Sequence, residues 1–483
     1  MHNRPVNTTR IKYGWPLLFL TYFTLQILLR TIIGRGLGID EAELMLTAQT
    51  LKWGYGAQPP LYSWIQHGIF ALFGETIFSL SLLKNSFLCL TYFALYRTLR
   101  SDYDRETAGL ATLSLLLLPQ IGWESQRALS HSILATTLAS ITLLLFSRLV
   151  VTRHLWLYFL FGVAVALGTL SKFNYIVLPI AMVIAATSLR STRGAILNPR
   201  ILLSVVTTSI VLFMPLQWII THKSMVLQSV HKFGIQGDTT GLKVALTGFF
   251  RLTEASFLFL ALLIMVLLLL FFRYGNKAVI PQQDTQFFQL LLRTIMVALI
   301  LILITVLWSG TTNVKDRWLQ PVLFFAAPAM TLWVLPKLSA LGRRRLMQLI
   351  GVVALSIFIA QPIHDIRPSR RSTPFPAIVS AIGEKYPETK IIFAKNKWIG
   401  GNLHYLKQGW AVTIPKGDPE ILKGQVVLVW PSRQVNIPRD MTNYLAVQDK
   451  EIISFDPTTT VKVPFLTESA PRFMLNFTAV QLK

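Results

Sequence analysis

Two adjacent carboxylates, Asp40 and Glu41, follow the first long apolar run of the chain, Trp15 to Ile33. Charged groups at a membrane boundary are costly to desolvate unless they serve a purpose, and a carboxylate can act as a general base. The sequence therefore predicts Asp40 and Glu41 as catalytic residues facing a lipid-borne substrate. Adjacent helical residues point about 100° apart, so the two are not expected to serve one substrate atom. The alternative is that Asp40 caps a helix beginning at Glu41.

Basic side chains on predicted outer loops and helix ends are candidates for binding a phosphate that leaves a donor. A guanidinium binds phosphate through two parallel hydrogen bonds, and lysine supplies a compact charge. The positive-inside rule disfavours such residues outside the cytoplasm, which makes each of them informative. An ordinary ion pair with Asp316 is the alternative for the two that flank it. The candidates are Arg317, Arg127, Lys172, Lys315 and Lys84, the last about two turns inside the second apolar run.

Polar and aromatic residues near these charges form a predicted substrate pocket. They are Gln58, Tyr62, Trp64 and His131. Tryptophan at a membrane boundary is more often a headgroup-level anchor than a sugar platform. A divalent metal would need oxygen or imidazole ligands near Asp40, and the sequence gives no ligand set for one. No GxGxxG, P-loop, HExxH or CxxC motif is present.

The composition indicates that these residues belong to a membrane protein with several spans. The 483 residues are 53% hydrophobic and only 14% charged, against about 25% charge in a soluble domain. The net charge of +24 lies largely in short loops between apolar runs, as the positive-inside rule expects, so nucleic-acid binding is not favoured. The single cysteine, Cys89, excludes an intramolecular disulfide. About eleven spans are predicted, at 15–33, 77–97, 107–122, 131–150, 155–170, 175–189, 201–220, 250–272, 293–308, 318–335 and 346–362.

An odd number of spans fixes the predicted topology. With residues 1–14 in the cytoplasm, every inner loop is basic. The outer loops are then 34–76, 123–130, 171–174, 221–249 and 309–317. The segment 155–189 is read as a hairpin turning at Ser171 to Asn174; a single tilted span would put the Arg343–Arg345 cluster outside. In the first loop, Glu41 to Trp53 contains neither Gly nor Pro and predicts an interfacial helix. The fourth loop is either a mobile lid or an ordinary flexible loop.

The chain divides into a membrane part, 1–362, and a small α/β domain, 363–483, expected in the periplasm. Prolines at 362, 368, 374 and 376 form a linker. Ala377 to Lys385 predicts a helix, and Asn402 to Leu406 belongs to a second. Buried strands are expected at 391–394 and 425–430, with alternating strands near 452–455, 460–465 and 472–478.

Three motifs in this order resemble the PMT-type GT-C glycosyltransferases, which include bacterial lipid A aminoarabinose transferases and protein O-mannosyltransferases. They are Asp40-Glu-Ala-Glu-Leu, Gln58-Pro-Pro-Leu-Tyr-Ser-Trp, and Ile69 to Gly74 ending in Leu-Phe-Gly. Leu170-Ser-Lys-Phe and Lys315-Asp-Arg-Trp-Leu-Gln-Pro are also similar. The chain has Ala57-Gln58 where the aminoarabinose transferases carry an acidic-basic pair, and lacks a second acid after Arg127.

The resemblance implies an inverting transferase of the bacterial inner membrane. It would move a sugar from a polyprenyl phosphate to a lipid or glycan acceptor in the periplasm, with lipid A or lipopolysaccharide as the first choice. Protein O-glycosylation and a lipid-linked sugar flippase are the alternatives. Transporters usually show paired halves or helices broken at matching positions, and no internal repeat is visible here.

Overall fold

The computed structural model describes residues 14–223, 234, 241–275, 285–415, 417, 420–431, 436–464 and 472–483. The predicted cytoplasmic N-terminus and most of the predicted lid in the fourth outer loop lie outside these residues. The described chain is a helical membrane part followed by a small domain that contains a six-stranded sheet.

Within the described residues, seven helices are long and apolar enough to cross a membrane. They are α1 (Gly14–Ile33), α4 (Ile77–Leu99), α6 (Ser130–Thr152), α10 (Ile201–Thr221), α11 (Leu242–Tyr274), α12 (Gln286–Ser309) and α15 (Ala340–Ile366). Two further helices follow: α13 (Asp316–Leu323) and α14 (Ala326–Val334), which continues to Lys337 as a 3-10 turn. If these two are counted as one span, the number becomes eight, although the axes of the two helices differ by 56°. All eleven predicted apolar segments are helical at least in part, and the count of eleven spans stays a prediction.

The predicted span at 107–122 is not one continuous helix. It divides into α5 (Arg105–Leu113), a 3-10 turn over Ser114–Leu117 and a π-helical turn over Gln120–Glu124. Pro119 has no N–H to continue the helical ladder, which accounts for the break between the two turns. The irregular segment is nevertheless buried, and it leads into the second outer loop at the candidate site.

The predicted hairpin at 155–189 is present. Helix α7 (Leu155–Ser171) ends at Lys172, and a 3-10 turn (Phe173–Ile176) leads into α8 (Val177–Thr187). The short helix α9 (Arg190–Ile196) then lies beside the start of α7, because the Tyr158 hydroxyl donates to the Ala195 carbonyl at 2.8 Å. The chain has therefore crossed back to its starting side, as the charge pattern required.

Two short helices shape the first outer loop. Helix α2 (Ile39–Thr47) ends six residues before Trp53, so the prediction of a helix as far as Trp53 is wrong in length. Helix α3 (Leu61–Phe73) starts directly after Pro59-Pro60 and ends at Gly74, whose φ of +75° favours glycine. The turn between these helices carries Gln58, and the first turn of α3 carries Tyr62 and Trp64 of the predicted pocket.

The small domain packs helices on both faces of its sheet. The strand order is β2-β1-β3-β6-β4, with β5 also on β6; β1 pairs in parallel with β2 and β3, whereas β6 runs antiparallel to its neighbours. The strands are β1 (Ile391–Ala394), β2 (Ala411–Thr413), β3 (Gly424–Pro431), β4 (Ile452–Phe455), β5 (Thr459–Pro464) and β6 (Arg472–Leu482). Helices α16 (Phe375–Lys385) and α17 (Lys397–Leu406) cover one face, and α18 (Arg439–Val447) covers the other.

This domain rests on the first outer loop through α17. The Asn402 side chain accepts a hydrogen bond from the Leu37 N–H at 2.8 Å, and the Trp398 indole donates to the Leu37 carbonyl at 3.0 Å. Gly401 lies so close to α2 that a β-carbon there would come within 2.1 Å of the Ala42 carbonyl oxygen. The helix that carries Asp40 is thus enclosed between the membrane part and the small domain.

Candidate functional site

Asp40 and Glu41 occupy the first turn of α2 and diverge from each other. The helix begins at Ile39 with Gly38 as its N-cap residue, and the Glu41 carboxylate accepts the Gly38 N–H at 2.8 Å. A carboxylate three residues after the cap closes a helix start in this way. Asp40 is therefore not the helix cap, and the capping alternative for Asp40 is wrong.

Glu41 lies at the centre of a buried ion-pair cluster, which we call the Glu41 cluster: Arg30, Glu41, Asp365 and Arg371. Glu41 accepts from Arg30 at 3.0 and 3.2 Å and from Arg371 at 2.7 and 3.2 Å. Arg371 also reaches Asp365 at 3.4 Å. Burial by itself raises the pKa of Glu41, but the two guanidinium groups outweigh it and hold the pKa well below its usual range.

The same cluster ties three parts of the chain together. Arg30 ends the first span, and Arg371 lies in the linker that follows α15. Arg371 also donates to the carbonyls of Gln126 and Arg127, each at 3.1 Å, in the second outer loop. The loop that precedes α6 is therefore fixed to the first loop and to the linker at once.

Asp40 points the other way, toward the start of α6. Its Oδ2 accepts the Leu129 N–H at 2.6 Å, and Leu129 has a left-handed φ of +68°. Left-handed backbone is strained for a branched residue and is found most often at functional sites. Within the described residues, the second oxygen, Oδ1, accepts no hydrogen bond.

Lys84 of α4 lies within electrostatic range of this carboxylate, although Glu41 acts on it more strongly. The residue is only 4% exposed, and its Nζ has no hydrogen-bond partner among the described residues. It interacts electrostatically with both Glu41 and Asp40. A buried ammonium without a partner is costly, so this amine is poised to bind an anion.

Tyr62 and His131 complete the surroundings of Asp40. Their rings lie 5.6 Å apart, and Asp40 acts electrostatically on both residues. Tyr62 is fully buried and His131 half-buried. We call Asp40, Tyr62, Lys84 and His131 the Asp40 pocket.

A second set of cations borders this pocket. The Lys172 amine donates to the Ser132 hydroxyl at 2.9 Å and to the Arg317 carbonyl at 2.6 Å. Loss of hydration lowers the pKa of Lys172 to about 7, and the nearby Arg317 charge adds to the effect. Asp316 accepts from Gln120 at 2.5 Å and from the Arg317 N–H at 2.7 Å, while the Arg317 guanidinium is left exposed.

Four other predicted site residues have different surroundings. Arg127 pairs with Glu124 at 2.9 Å, and the Trp64 indole donates to the Lys52 carbonyl at 2.8 Å. Gln58 lies in the turn before α3, half-buried, and Lys315 is the N-cap residue of α13. Their substrate contacts stay predictions, as do the roles of the other site residues.

Several residues of the site were not anticipated from the sequence. Arg30, Asp365 and Arg371 form the Glu41 cluster, and Lys397 of the small domain makes an ion pair with Glu43 of α2. Arg30 could have been predicted as a site residue, because it is a charged residue in the last turn of an apolar run. Arg371 stands in a linker rich in proline and arginine, where nothing distinguishes it from its neighbours. In the described part of the chain, no three His, Cys, Asp or Glu residues come together as a metal would require.

Known proteins resemble this chain in sequence and in fold. A family model described as dolichyl-phosphate-mannose-protein mannosyltransferase matches residues 57–219. The lipopolysaccharide core galacturonosyltransferase RgtB of Rhizobium johnstonii is 28% identical over 451 residues, with 89% of this chain and 90% of the relative covered. RgtA of the same organism is 27% identical over 450 residues, with 88% of each chain covered.

Among solved structures, ArnT from Cupriavidus metallidurans bound to undecaprenyl phosphate is similar along nearly the whole chain. Its TM-score is 0.65 at 13% sequence identity, with 97% of this chain and 98% of ArnT covered. Together the matches show that the chain has the GT-C fold and is similar in sequence to lipopolysaccharide core glycosyltransferases. The resemblance to GT-C glycosyltransferases that the first outer loop predicted is confirmed.

Proposed function

We propose that this protein is an inverting glycosyltransferase that moves a sugar from a polyprenyl phosphate to lipopolysaccharide. The observation that carries the proposal is the Asp40 pocket, where a carboxylate oxygen without a hydrogen bond lies within electrostatic range of a buried lysine that has no hydrogen-bond partner among the described residues. One reaction uses both groups, because a hydroxyl must lose a proton while a phosphate takes up negative charge. The ArnT structure bound to undecaprenyl phosphate and the two lipopolysaccharide-directed relatives support the donor and the acceptor.

The proposed step assigns a role to each group in the pocket. The acceptor hydroxyl attacks the anomeric carbon from the side opposite the phosphate, and Asp40 Oδ1 takes its proton. The bond between that carbon and the phosphate oxygen breaks, and the phosphate leaves with the electron pair. Lys84, Lys172 and Arg317 stabilise the charge on the departing phosphate. No step is routed through a metal.

Glu41 has a different role in this proposal. Both of its oxygens are taken by Arg30 and Arg371, so it is poorly placed to accept a proton. We assign it the positioning of α2, which sets the direction of Asp40. Tyr62 and His131 form the wall against which the sugar lies.

A transfer assay tests the donor and the acceptor. Purified protein in detergent is incubated with polyprenyl-phosphate-linked galacturonic acid, aminoarabinose or mannose and with lipopolysaccharide core, lipid A or a periplasmic protein. We expect a mass increase of one sugar residue on a lipopolysaccharide component, lost in Asp40→Asn. The family description gives a specific reason to include protein as acceptor, and sugar on protein alone would favour O-glycosylation.

A vesicle assay addresses the flippase alternative. Movement of the lipid-linked sugar across the bilayer, with no transfer from any of these donors, would overturn the proposal. Mass spectra of lipopolysaccharide from cells with and without the protein provide the matching measurement in vivo.

The side of the membrane is also a proposal. The predicted outer loops meet at the Asp40 pocket: Asp40 contacts Leu129, and Lys172 contacts Arg317. With the basic loops in the cytoplasm, this face and the small domain lie in the periplasm. We expect a reporter that is active only in the cytoplasm to be silent when fused after Lys483. A strong signal would place the site on the wrong side.

A further inference from the structure

An apolar groove opens on the surface of the helical part, at the end opposite the Asp40 pocket. It lies between the last turns of α11, the first turns of α12 and the last turns of α14, and its volume is about 440 Å³. Every lining side chain is apolar; those used below are Leu268, Phe271, Phe272, Leu292, Met330 and Trp333. Phe272 is 80% exposed and Trp333 45% exposed, so the groove is open at its side.

A lysine stands at the mouth of this groove. Lys337 Nζ lies 2.9 Å from the centre of the Trp333 ring and 6.0 Å from the centre of the Phe271 ring. A cation over an aromatic face is attracted to it and keeps its charge accessible. Among the described residues, no carboxylate pairs with Lys337.

Further positive charge surrounds the mouth. The Ser339 N–H donates to the Tyr274 carbonyl at 3.1 Å, which brings the end of α11 to the start of α15. These two helix ends carry Arg273 and Arg343 to Arg345. Three acids within 102–106 share this end of the molecule, since the Tyr103 hydroxyl lies 3.1 Å from that of Thr285 and Asp104 acts electrostatically on Arg343. The segments 264–275, 285–293 and 326–348 contain six basic residues and no acid, so basic residues outnumber these acids. The mouth is therefore basic and the groove behind it apolar.

We propose that this groove holds an acyl chain of an anionic phospholipid whose phosphate binds the Lys337 amine. The combination of an apolar slot between helices and a basic rim is complementary to such a lipid and to no soluble anion. The groove lies at the cytoplasmic end in the predicted topology, away from Asp40, so its occupant is separate from the sugar donor. The lipid would support α14, which continues from the helix that begins at Asp316 and Arg317.

Native mass spectrometry on the full chain, released from nanodiscs of equal phosphatidylglycerol and phosphatidylcholine, tests the proposal. We expect the wild type to retain phosphatidylglycerol in preference to phosphatidylcholine. Lys337→Gln should reduce that preference about fivefold, the size expected for one lysine near a charged lipid surface. Arg148→Gln is the matched control, because it removes an exposed charge from the predicted cytoplasmic side at a helix end that does not line the groove, and it should leave the preference unchanged.

A second variant tests the binding of the acyl chain separately from the binding of the lipid headgroup. Leu292→Trp fills the groove while leaving Lys337 in place, and it should reduce the retention of phosphatidylglycerol below that of the wild type. Unchanged selectivity in Lys337→Gln, or unchanged retention in Leu292→Trp, would overturn the proposal. So would displacement of phosphatidylglycerol by added undecaprenyl phosphate, which would assign the groove to the donor lipid. None of these outcomes depends on sugar transfer, so the proposed enzymatic activity is tested separately.

Discussion

Asp40 and Glu41 are neighbours in the chain, but their surroundings are opposite in kind. Glu41 is 3% exposed and meets two guanidinium groups, so its hydrogen-bonding capacity is used up. Among the described residues, Asp40 keeps one oxygen without a hydrogen bond and lies within electrostatic range of Lys84, whose amine has no hydrogen-bond partner. A cluster with every charge paired resists change, whereas an incompletely paired one is suited to bind something else. The comparison separates a carboxylate that builds the site from the one that we propose acts in it.

Asp40→Asn gives the largest effect expected from this comparison. Asparagine keeps an oxygen that can accept the Leu129 N–H but cannot take a proton. We expect sugar transfer to fall between about 10²- and 10⁴-fold, as for loss of a general base, with an unchanged thermal midpoint. Glu43→Gln is the control, because Glu43 lies one helical turn from Asp40 and forms an ion pair with Lys397 of the small domain. This substitution should change the rate of sugar transfer only a few-fold. If Asp40→Asn keeps a tenth of wild-type activity, Asp40 is not the base.

Glu41→Gln should act on stability instead. The substitution leaves Arg30 and Arg371 buried without their carboxylate, and breaking a buried pair costs about 3–5 kcal/mol. We expect a lower thermal midpoint and a lower yield of folded protein in detergent. Adding Arg30→Met, whose carboxylate partner among the described residues is Glu41 alone, removes one stranded charge and should restore part of the stability. A Glu41→Gln protein as stable as the wild type would abolish the distinction between the two carboxylates.

Arg317 extends the comparison to the rim of the Asp40 pocket. Its exposed guanidinium is available for a two-bonded contact with phosphate. We expect Arg317→Ala to lower kcat/KM for the donor by about tenfold or more, as for loss of a charge-assisted hydrogen bond, and Arg317→Lys to lower it less. Affinity for the polyprenyl-phosphate product, measured in parallel, should fall in the same order. Full transfer by Arg317→Ala would remove this residue from the site.

Lys172 gives the smallest expected effect, and it concerns pH. Because its pKa is lowered to about 7, the amine is charged below that pH and loses its proton as the pH rises through it. We expect the donor KM to rise several-fold between pH 6 and 9. Lys172→Arg stays charged throughout and should flatten the profile. An unchanged profile would show that Lys172 does not bind the phosphate, whereas Glu41, with its low pKa, contributes nothing in this range.

Hydrophobic patterning predicted most of the fold. Long apolar runs and their basic loops fixed the helices and the hairpin at Lys172, because burial and charge asymmetry act locally along a membrane chain. The strands at 391–394 and 425–430 were predicted because strands covered on both faces are continuously apolar. The break at Leu113 was missed, since a buried 3-10 and π segment has the composition of a helix.

The candidate site was predicted only in part. Asp40 was found because an acid at a membrane boundary is conspicuous in a sequence. Arg371 was not, because its partner Glu41 lies 330 residues away and no local pattern couples them. Helix geometry predicted that Asp40 and Glu41 point in different directions. Which carboxylate has all of its hydrogen-bonding capacity used depends on the positions of Arg30 and Arg371, which the sequence does not reveal.

The position of Arg371 also limits how such a chain can be rearranged during evolution. The residue lies beyond the predicted boundary at 362, yet it pairs with the loop that orients Asp40. A recombination event that exchanged the small domain at that boundary would discard the arginine along with it. We therefore expect an exchange of the small domain that preserves activity to require a junction after Arg371.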